Sequence, residues 1–280
     1  SMNIMGDKLS AKQAAHDSNV PIISGSDFIL PDAETAMAEA DRIGYPVMLK
    51  ASNGGGGRGM RIVERREDMA EAFAKSENES KRAFGESKLF LEKYLIRPKH
   101  IEVQILGDNY GNIVHLYDRD CSVQKNNQKV VEFAPAWTIS DEIRKKIMDS
   151  AKRLARRVGY TNAGTMEFLV DEEQHPFFIE MNPRIQVEHT VTEMITGIDI
   201  VICQILVAEG YPLNSPDIHI YSQNEVKCVG HSIQVRITTE DPSNHFLPDH
   251  GKIDLYRSSA GNGIRLDGGV AYAGAVINSH

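Results

Sequence analysis

What this chain has little of narrows it first. Its 280 residues include only three cysteines, Cys121, Cys203 and Cys228, far apart and with no C-x-x-C pair. That excludes a disulfide framework and a cysteine zinc site, and reads as reduced thiols in a cytosol-like compartment. No run of eighteen apolar residues and no signal-like N-terminus occurs, so a soluble chain without a membrane span or targeting segment is expected. Positive charge is in deficit: 31 Lys and Arg stand against 39 Asp and Glu, a formal net charge of −8, which argues against a nucleic-acid binder. Internal repeats and low-complexity stretches are also missing. What remains is ordinary globular composition, 41% hydrophobic and 25% charged, enough for one large domain or two of usual size. Ser1-Met2 ahead of "NIMGDK" reads as a cloning remnant, and the chain as a piece of a longer one.

The pattern predicts helices over 8–18, 32–43 and 67–84, with a strand over 46–51 between the second and third. Strand-like runs follow in "SKLFLEKYL", "HIEVQILGD", "NIVHLYDRDCSV" and "QKVVEFAPA". One helix is well signalled: Ser140 as N-cap, Asp141 and Glu142 in its first turn, Arg156 and Arg157 in its last, and Ile143, Ile147, Met148, Ala151, Leu154, Ala155 and Val158 at helical spacing. A strand pair, a helical stretch over 188–209 and a β-rich end complete an α+β reading with largely antiparallel sheets.

"KASNGGGGRGMRIV", Lys50 to Val63, holds five glycines in six positions. Each glycine in regular structure costs about 0.5–1 kcal/mol relative to alanine, so a run this dense should have a use. Gly54, Gly56 and Gly59 formally satisfy G-x-G-x-x-G, but that fingerprint opens a helix, whereas "MRIV" reads as a strand. A P-loop needs Lys and then Ser or Thr after the last glycine, where Met60 and Arg61 stand. The pattern that fits is strand, glycine loop, strand: a hairpin whose tip is mostly backbone N–H and can fold over a polyphosphate as a lid. A merely floppy surface hairpin is the alternative.

"AGTMEFLVDEEQHPFFIEMNPR", Ala163 to Arg184, reads as two strands around a polar turn. Closing the hairpin on Glu173-Gln174, or on 172–175, sets Glu167 opposite Glu180 and Asn182 opposite Thr165 on one face. Two carboxylates about 5 Å apart repel by roughly 3 kcal/mol at an effective dielectric near 20. Met166, Phe168, Ile179 and Met181 around them add desolvation. A divalent cation between them reverses the sign, and Mg²⁺ favours carboxylate oxygens together with substrate phosphates. The alternatives are a protonated glutamate or a slipped register.

With these two hairpins and "NPRIQVEHTVTE" in place, the chain resembles the biotin carboxylase component of the biotin-dependent carboxylases, an ATP-grasp family. "MGDK", "GGGGRGM", "EKYL", "KHIEVQILGD", "RDCSVQ", "QKVVE", "AGTMEFL", "FIEMNPRIQVEHTVTEMITGIDIV" and "GNGIRLD" stand in family order across nearly the whole chain. "HIEVQILGDNYGNIVHLYDRDCSVQ" and "ITTEDP" are more similar to pyruvate carboxylases than to acyl-CoA carboxylases. The resemblance implies an ATP-grasp fold: residues 1–52 as linker and start, 53–94 as lid subdomain, 95–210 as body, and 211–280 as a truncated C-terminal subdomain. It also implies an N-terminal Rossmann-like subdomain, absent here apart from its exit "IMGDK".

The resemblance implies roles residue by residue. Lys8 and Lys50 resemble the lysines that hold ATP phosphates, beside a loop of Gly54, Gly55, Gly56, Gly57 and Gly59. Glu92, Lys93, Tyr94 and Leu95 resemble the hinge that meets adenine, and His100 and Gln124 resemble nucleotide contacts. Glu167, Glu180 and Asn182 resemble ligands of Mg²⁺ or Mn²⁺. Arg184, Gln186 and Val187 resemble the bicarbonate cradle with Lys129 nearby, Glu188 resembles the base toward bicarbonate, and Arg265 the arginine that stabilises the biotin enolate. The implied activity is carboxylation of biotin with ATP and bicarbonate. The implied partners are a biotin carboxyl carrier domain and a carboxyltransferase domain of the parent chain, with no nucleic acid and no membrane. The piece itself is expected to be a monomer or weak dimer, in the cytoplasm or, for a eukaryotic parent, the mitochondrial matrix. Rival readings are the same module from an acyl-CoA or urea carboxylase, or a fragment that binds nucleotide without turnover. One departure stands out: where the family usually reads R-R-H-Q-K, this chain has "KNNQK", Lys125 to Lys129, with Asn126 and Asn127 unable to carry charge.

Overall fold

The computed structural model describes residues 8–52, 60–85, 87–269 and 271–278, and the chain divides after Val235 into two compact units. The first unit opens with α1 (Lys8–Asp17) and α2 (Ala33–Ile43). Asp32 caps α2 by accepting the Thr35 N–H at 2.7 Å, as its residue type favours. Strands β1 (Val47–Ala51) and β2 (Arg61–Val63), helix α3 (Met69–Phe84) and strand β3 (Leu89–Lys93) follow. They make a three-stranded antiparallel sheet in the order β2-β1-β3. Val47, Leu49 and Ala51 alternate inward along β1 and pack with Ala36, Ala40, Met69 and Phe73 of the two helices. The expected β1–β2 hairpin forms, pairing Val47 with Val63 and Leu49 with Arg61. Its glycine tip, with Gly54 to Gly57 and Gly59, lies outside the described residues.

A larger sheet contains β4 (Lys99–Gly107), β5 (Ile113–Lys125), β6 (Gln128–Ala134), β7 (Asn162–Val170), β8 (Pro176–Asn182) and β9 (Ser232–Val235), with α4 (Asp141–Arg157), α5 (His189–Thr196) and α6 (Ile200–Ala208) between. Its order is β8-β7-β4-β5-β6-β9, every ladder antiparallel. The hydrophobic stripe of α4 buries Ile147, Ala151 and Leu154 against Ile101, Val103 and Ile105 of β4, and Ala11 and Ala15 of α1 join the same core. A second core on this sheet packs Leu106, Val114 and Ala163 with Ile200, Cys203 and Val207 of α6. Because side chains alternate across a strand, His100, Glu102 and Gln104 project opposite to Ile101, Val103 and Ile105.

Two local expectations are corrected. The β7–β8 hairpin closes between Val170 and Pro176, not on 172–175, yet Glu167 still faces Glu180 and Thr165 faces Asn182. A register shift after Glu167 explains both: Phe168 pairs with Phe178, so Ile179 is an extra residue that restores the expected pairing beyond it. The helical stretch over 188–209 is two helices meeting at 97°, broken at Gly197 (φ 70°), after which Asp199 caps α6. No single helix among the described residues is long and apolar enough to cross a membrane. The second unit, Arg236–His280, carries short antiparallel pairs: β10 (Glu240–Asp241) with β11 (Leu247–Pro248), and β12 (Gly251–Lys252) with β13 (Val276–Ile277).

Candidate functional site

Register places acidic side chains in a row across the large sheet. Glu180 of β8 faces Glu167 of β7, Glu167 faces Glu102 of β4, and Glu102 faces Arg119 of β5. Three neighbouring carboxylates would repel one another, so the row needs cations, and other elements supply them. Lys129 of β6 donates to Glu102, to Glu167 Oε1 at 3.0 Å and to Glu188 Oε1, at the start of α5, at 2.9 Å. His100 Nε2 lies 2.9 Å from Glu167 Oε2 and 3.6 Å from Glu102 Oε1, without an aligned hydrogen bond, so the contact is charge pairing. The Arg119 guanidinium, 0% exposed, donates to Glu102 Oε2 from Nε and Nη2 at 3.2 and 3.1 Å. Lys129, Arg119 and His100 thus meet Glu102, Glu167 and Glu188, and Glu180 stands as a fourth carboxylate at the β8 end of the row.

Burial opposes the charges of His100, Glu167 and Lys129, and their neighbours outweigh it. Burial lowers the His100 pKa, yet the Glu167 and Glu102 carboxylates carry it up to about 9. Burial raises Glu167, yet His100 and Lys129 hold it well below the usual carboxylate range. Lys129 is likewise driven down by burial and up, with a net rise, by Glu102, Glu167 and Glu188. The repulsion foreseen at Glu167 is therefore relieved by His100 and Lys129, in addition to anything a metal ion would do. Asn182 Nδ2 and Gln186 Nε2 also donate to Glu167 Oε1, at 2.7 and 3.0 Å.

A second charged group ties the two sheets of this unit together. Glu92 of β3 is buried and accepts from Lys12 of α1 at 2.8 Å through Oε1 and from Lys50 of β1 through Oε2. Burial raises its pKa, but the Lys50 and Lys12 ammonium groups bring it down to about 2.

The other expected residues divide. Gln124 joins His100, its amide nitrogen 3.0 Å from Nδ1 and donating to Cys121 O at 2.9 Å. Gln186 is buried between Arg119 and Glu167. Tyr94 donates its N–H to Pro46 O at 3.1 Å, and Leu95 follows it, half-buried. Lys93 turns its ammonium to the Gly44 and Tyr45 carbonyls, both at 2.9 Å, so its side chain is committed to the end of α2. Arg184 is exposed and donates to Ile185 O at 3.0 Å, and Val187 is exposed beside it, so neither is drawn into the cluster. Arg265 belongs to the second unit and pairs with Asp267 at 3.0 Å. Lys8 begins α1, and its side chain lies outside what is described. Sequence reasoning missed Arg119, Glu102 and Lys12. The signal for the first two was present as polar residues alternating with isoleucine and valine in "HIEVQILGD" and as "YDRD".

The donor set of Glu167, Glu180 and Asn182 is oxygen only at its carboxylates and amide carbonyl, the hard chemistry that suits Mg²⁺ or Mn²⁺.

Comparison with known proteins places the whole chain in a family. Residues 7–216 match the family described as carbamoyl-phosphate synthase L chain, ATP binding domain. The chain is 52% identical over 279 residues to a pyruvate carboxylase of Pichia angusta, spanning 100% of this chain and 24% of that protein. It superposes with a TM-score of 0.94 on the biotin carboxylase domain of Hydrogenobacter thermophilus 2-oxoglutarate carboxylase, solved with MgADP, ADP and bicarbonate, at 47% identity over 100% of this chain and 60% of that one. A biotin carboxylase–β,γ-ATP complex from Campylobacter jejuni matches with a TM-score of 0.92 and 46% identity, over 99% and 60% of the two chains. The chain thus spans about a quarter of the pyruvate carboxylase it matches.

Proposed function

Since the chain belongs to the carbamoyl-phosphate synthase L chain ATP-binding family and, within it, stands with the ATP-grasp biotin carboxylases, we propose that it carries out ATP- and bicarbonate-dependent carboxylation of biotin as the biotin carboxylase part of a pyruvate carboxylase. The facing of Glu167 and Glu180 across β7 and β8, with Lys129 and Glu188 alongside, carries this reading.

Bicarbonate oxygen attacks the γ-phosphorus of ATP, the bond to the β-phosphate oxygen breaks, and ADP leaves. The resulting carboxyphosphate releases CO₂ and phosphate, the phosphate takes the proton from biotin N1′, and the N1′ anion adds to the CO₂. Little covalent work falls to the protein in such phosphoryl transfer, so charge neutralisation and positioning dominate. Lys50 and the glycine loop would meet the phosphates, Glu92 through Leu95 the adenine, and His100 and Gln124 the nucleotide beside it. Glu167, Glu180 and Asn182 would hold Mg²⁺, which would neutralise phosphate charge. Glu188 receives the bicarbonate proton while Lys129 beside it stabilises the anion. Arg184, now solvent-exposed, swings inward on the planar anion with Gln186 and the Val187 backbone, and Arg265 stabilises the biotin enolate. The carrier and carboxyltransferase domains would come from the rest of the parent chain, in the cytoplasm or the mitochondrial matrix.

Bicarbonate-dependent release of ADP from MgATP, followed by carboxylation of free biotin, tests the proposal. Glu180→Gln should raise the Mg²⁺ concentration needed for half-maximal nucleotide binding while leaving the melting temperature near wild type. An unchanged metal titration would remove Glu180 from the site. ADP release indifferent to bicarbonate would overturn the reaction.

A further inference from the structure

Two lysines on one buried carboxylate is an unusual ratio, since a single cation already neutralises it. Glu92 is 3% exposed, and each of its oxygens takes one ammonium, Oε1 that of Lys12 and Oε2 that of Lys50. The two lysines are differently confined. Lys12 sits on α1, whose Ala11 and Ala15 are fixed in the large-sheet core. Its side chain is 8% exposed, and its ammonium lies 5.7 Å from the centre of the Phe90 ring. Gly25, bridged to Glu92, closes over it so tightly that a methyl group there would stand 3.3 Å from the Lys12 ammonium. The Lys50 side chain is 18% exposed and extends from β1, the strand that leads into the glycine loop.

We propose that Lys12 is a positioning residue: it neutralises Glu92 permanently, so that Lys50 can leave Glu92 for a polyphosphate without stranding a buried carboxylate. This rests on the reading that gives Lys50 to the ATP phosphates. The physical argument is one of partner exchange. A lysine that is the only counter-ion of a buried carboxylate cannot leave without exposing that charge to a low-dielectric surrounding, a costly step. With Lys12 in place, the triad carries one positive charge in excess, and transfer of Lys50 to an anion lowers that excess. Lys12 touches no nucleotide in this scheme and acts only through Glu92.

MgATP affinity measured calorimetrically on the whole chain tests this, with wild type, Lys12→Met, Lys12→Arg, Glu92→Gln and the double variant Lys12→Met/Glu92→Gln. Lys12→Met should weaken MgATP binding about tenfold or more, because Lys50 is then held by Glu92. Lys12→Arg should bind near wild type, because the charge is retained. The double variant should match Glu92→Gln alone, since Lys12 matters only while Glu92 is charged. Should Lys12→Met fail to fold, the comparison of the double variant with Glu92→Gln still decides, and a weaker double variant overturns the proposal. Wild-type affinity in Lys12→Met overturns it as well, while leaving the nucleotide reading intact. A wild-type chain that binds no MgATP would overturn that reading and this inference together.

Discussion

Replacing Arg119 by methionine should be the most damaging single change in the large sheet. The guanidinium is 0% exposed and donates to five side chains: Glu102 Oε2 from Nε and Nη2, Gln104 Oε1 at 2.8 Å, Thr192 Oγ1 at 3.0 Å, and Thr165 Oγ1 and Gln186 Oε1 at 3.1 Å each. Burial works against its charge, but Glu102, Cys121 and Glu188 together outweigh this and raise its pKa. Methionine fills most of the volume, so the loss is electrostatic more than steric. Removing one partner of a buried pair costs about 3–5 kcal/mol, and each acceptor left without a donor adds about 1–3. Lys129 remains on Glu102 and reduces the first of these. An overall loss of about 3–5 kcal/mol is expected in urea unfolding followed by far-ultraviolet circular dichroism. Arg119→Lys keeps the charge without the planar fork, so it should lose less stability but should raise the KM for bicarbonate through the loosened Gln186. A loss under about 1 kcal/mol in Arg119→Met would show that the buried network is not held by this residue, and would refute the reasoning.

Stability should fall on the alkaline side of neutrality. The folded His100 pKa is raised from 6.5 to about 9, so its contribution is complete below pH 6.5 and lost as pH rises through 9. Glu92 is lowered from 4.5 to about 2, so its contribution is complete above pH 4.5 and lost as pH falls through 2. Unfolding free energies in a pH series should show the alkaline limb, and His100→Gln should flatten it; an identical limb would contradict the assignment. Gly25→Ala should cost about 1–3 kcal/mol by overpacking, because its Cβ meets the Leu91 carbonyl and lies 3.2 Å from Glu92 Cγ. A melting temperature within about 2 °C of wild type would count against that close approach.

Local signals carried much of this architecture. Ser140 marked a helix start because a side-chain oxygen at the N-cap has one geometrically available task, which it performs; Asp32, read as the first residue of its helix, performs the same task one position outside it. Gly197 and Asp199 together announced a helix end and a new start, a pair that a continuous apolar pattern concealed. The Ile179 bulge left no such mark, because a bulge is set by how two strands accommodate each other's side chains. The facing glutamates were legible since β7 and β8 are neighbours in sequence and alternation has period two. Their counter-ions were not, because His100, Arg119 and Lys129 arrive from β4, β5 and β6, whose order beside β7 no short-range pattern dictates. A strand such as "HIEVQ" carries charge where it meets charge from elsewhere.

The two asparagines of "KNNQK" suit the turn they form. Lys125 pairs with Gln128, and Gln124 with Lys129, so Asn126 and Asn127 alone form the β5–β6 connection. Their φ values are 50° and 62°, both positive, the condition a type I′ turn imposes on its two central residues. Asparagine tolerates this conformation where most L-residues lose about 1–2 kcal/mol. The turn also sets register, and one residue of slip would send Lys129 to the opposite face, away from Glu102, Glu167 and Glu188. Asn126→Gly should therefore unfold near the wild-type urea midpoint. Asn126→Val, β-branched at positive φ, should lose about 1–2 kcal/mol and weaken bicarbonate-dependent ADP release as Lys129 shifts. Lys129→Met combined with Asn126→Val separates the two effects: the stability loss should persist, while the further loss of ADP release should vanish because its carrier is already gone. An Asn126→Val chain with wild-type stability would show that the turn imposes no such demand, and the asparagine pair would need another explanation.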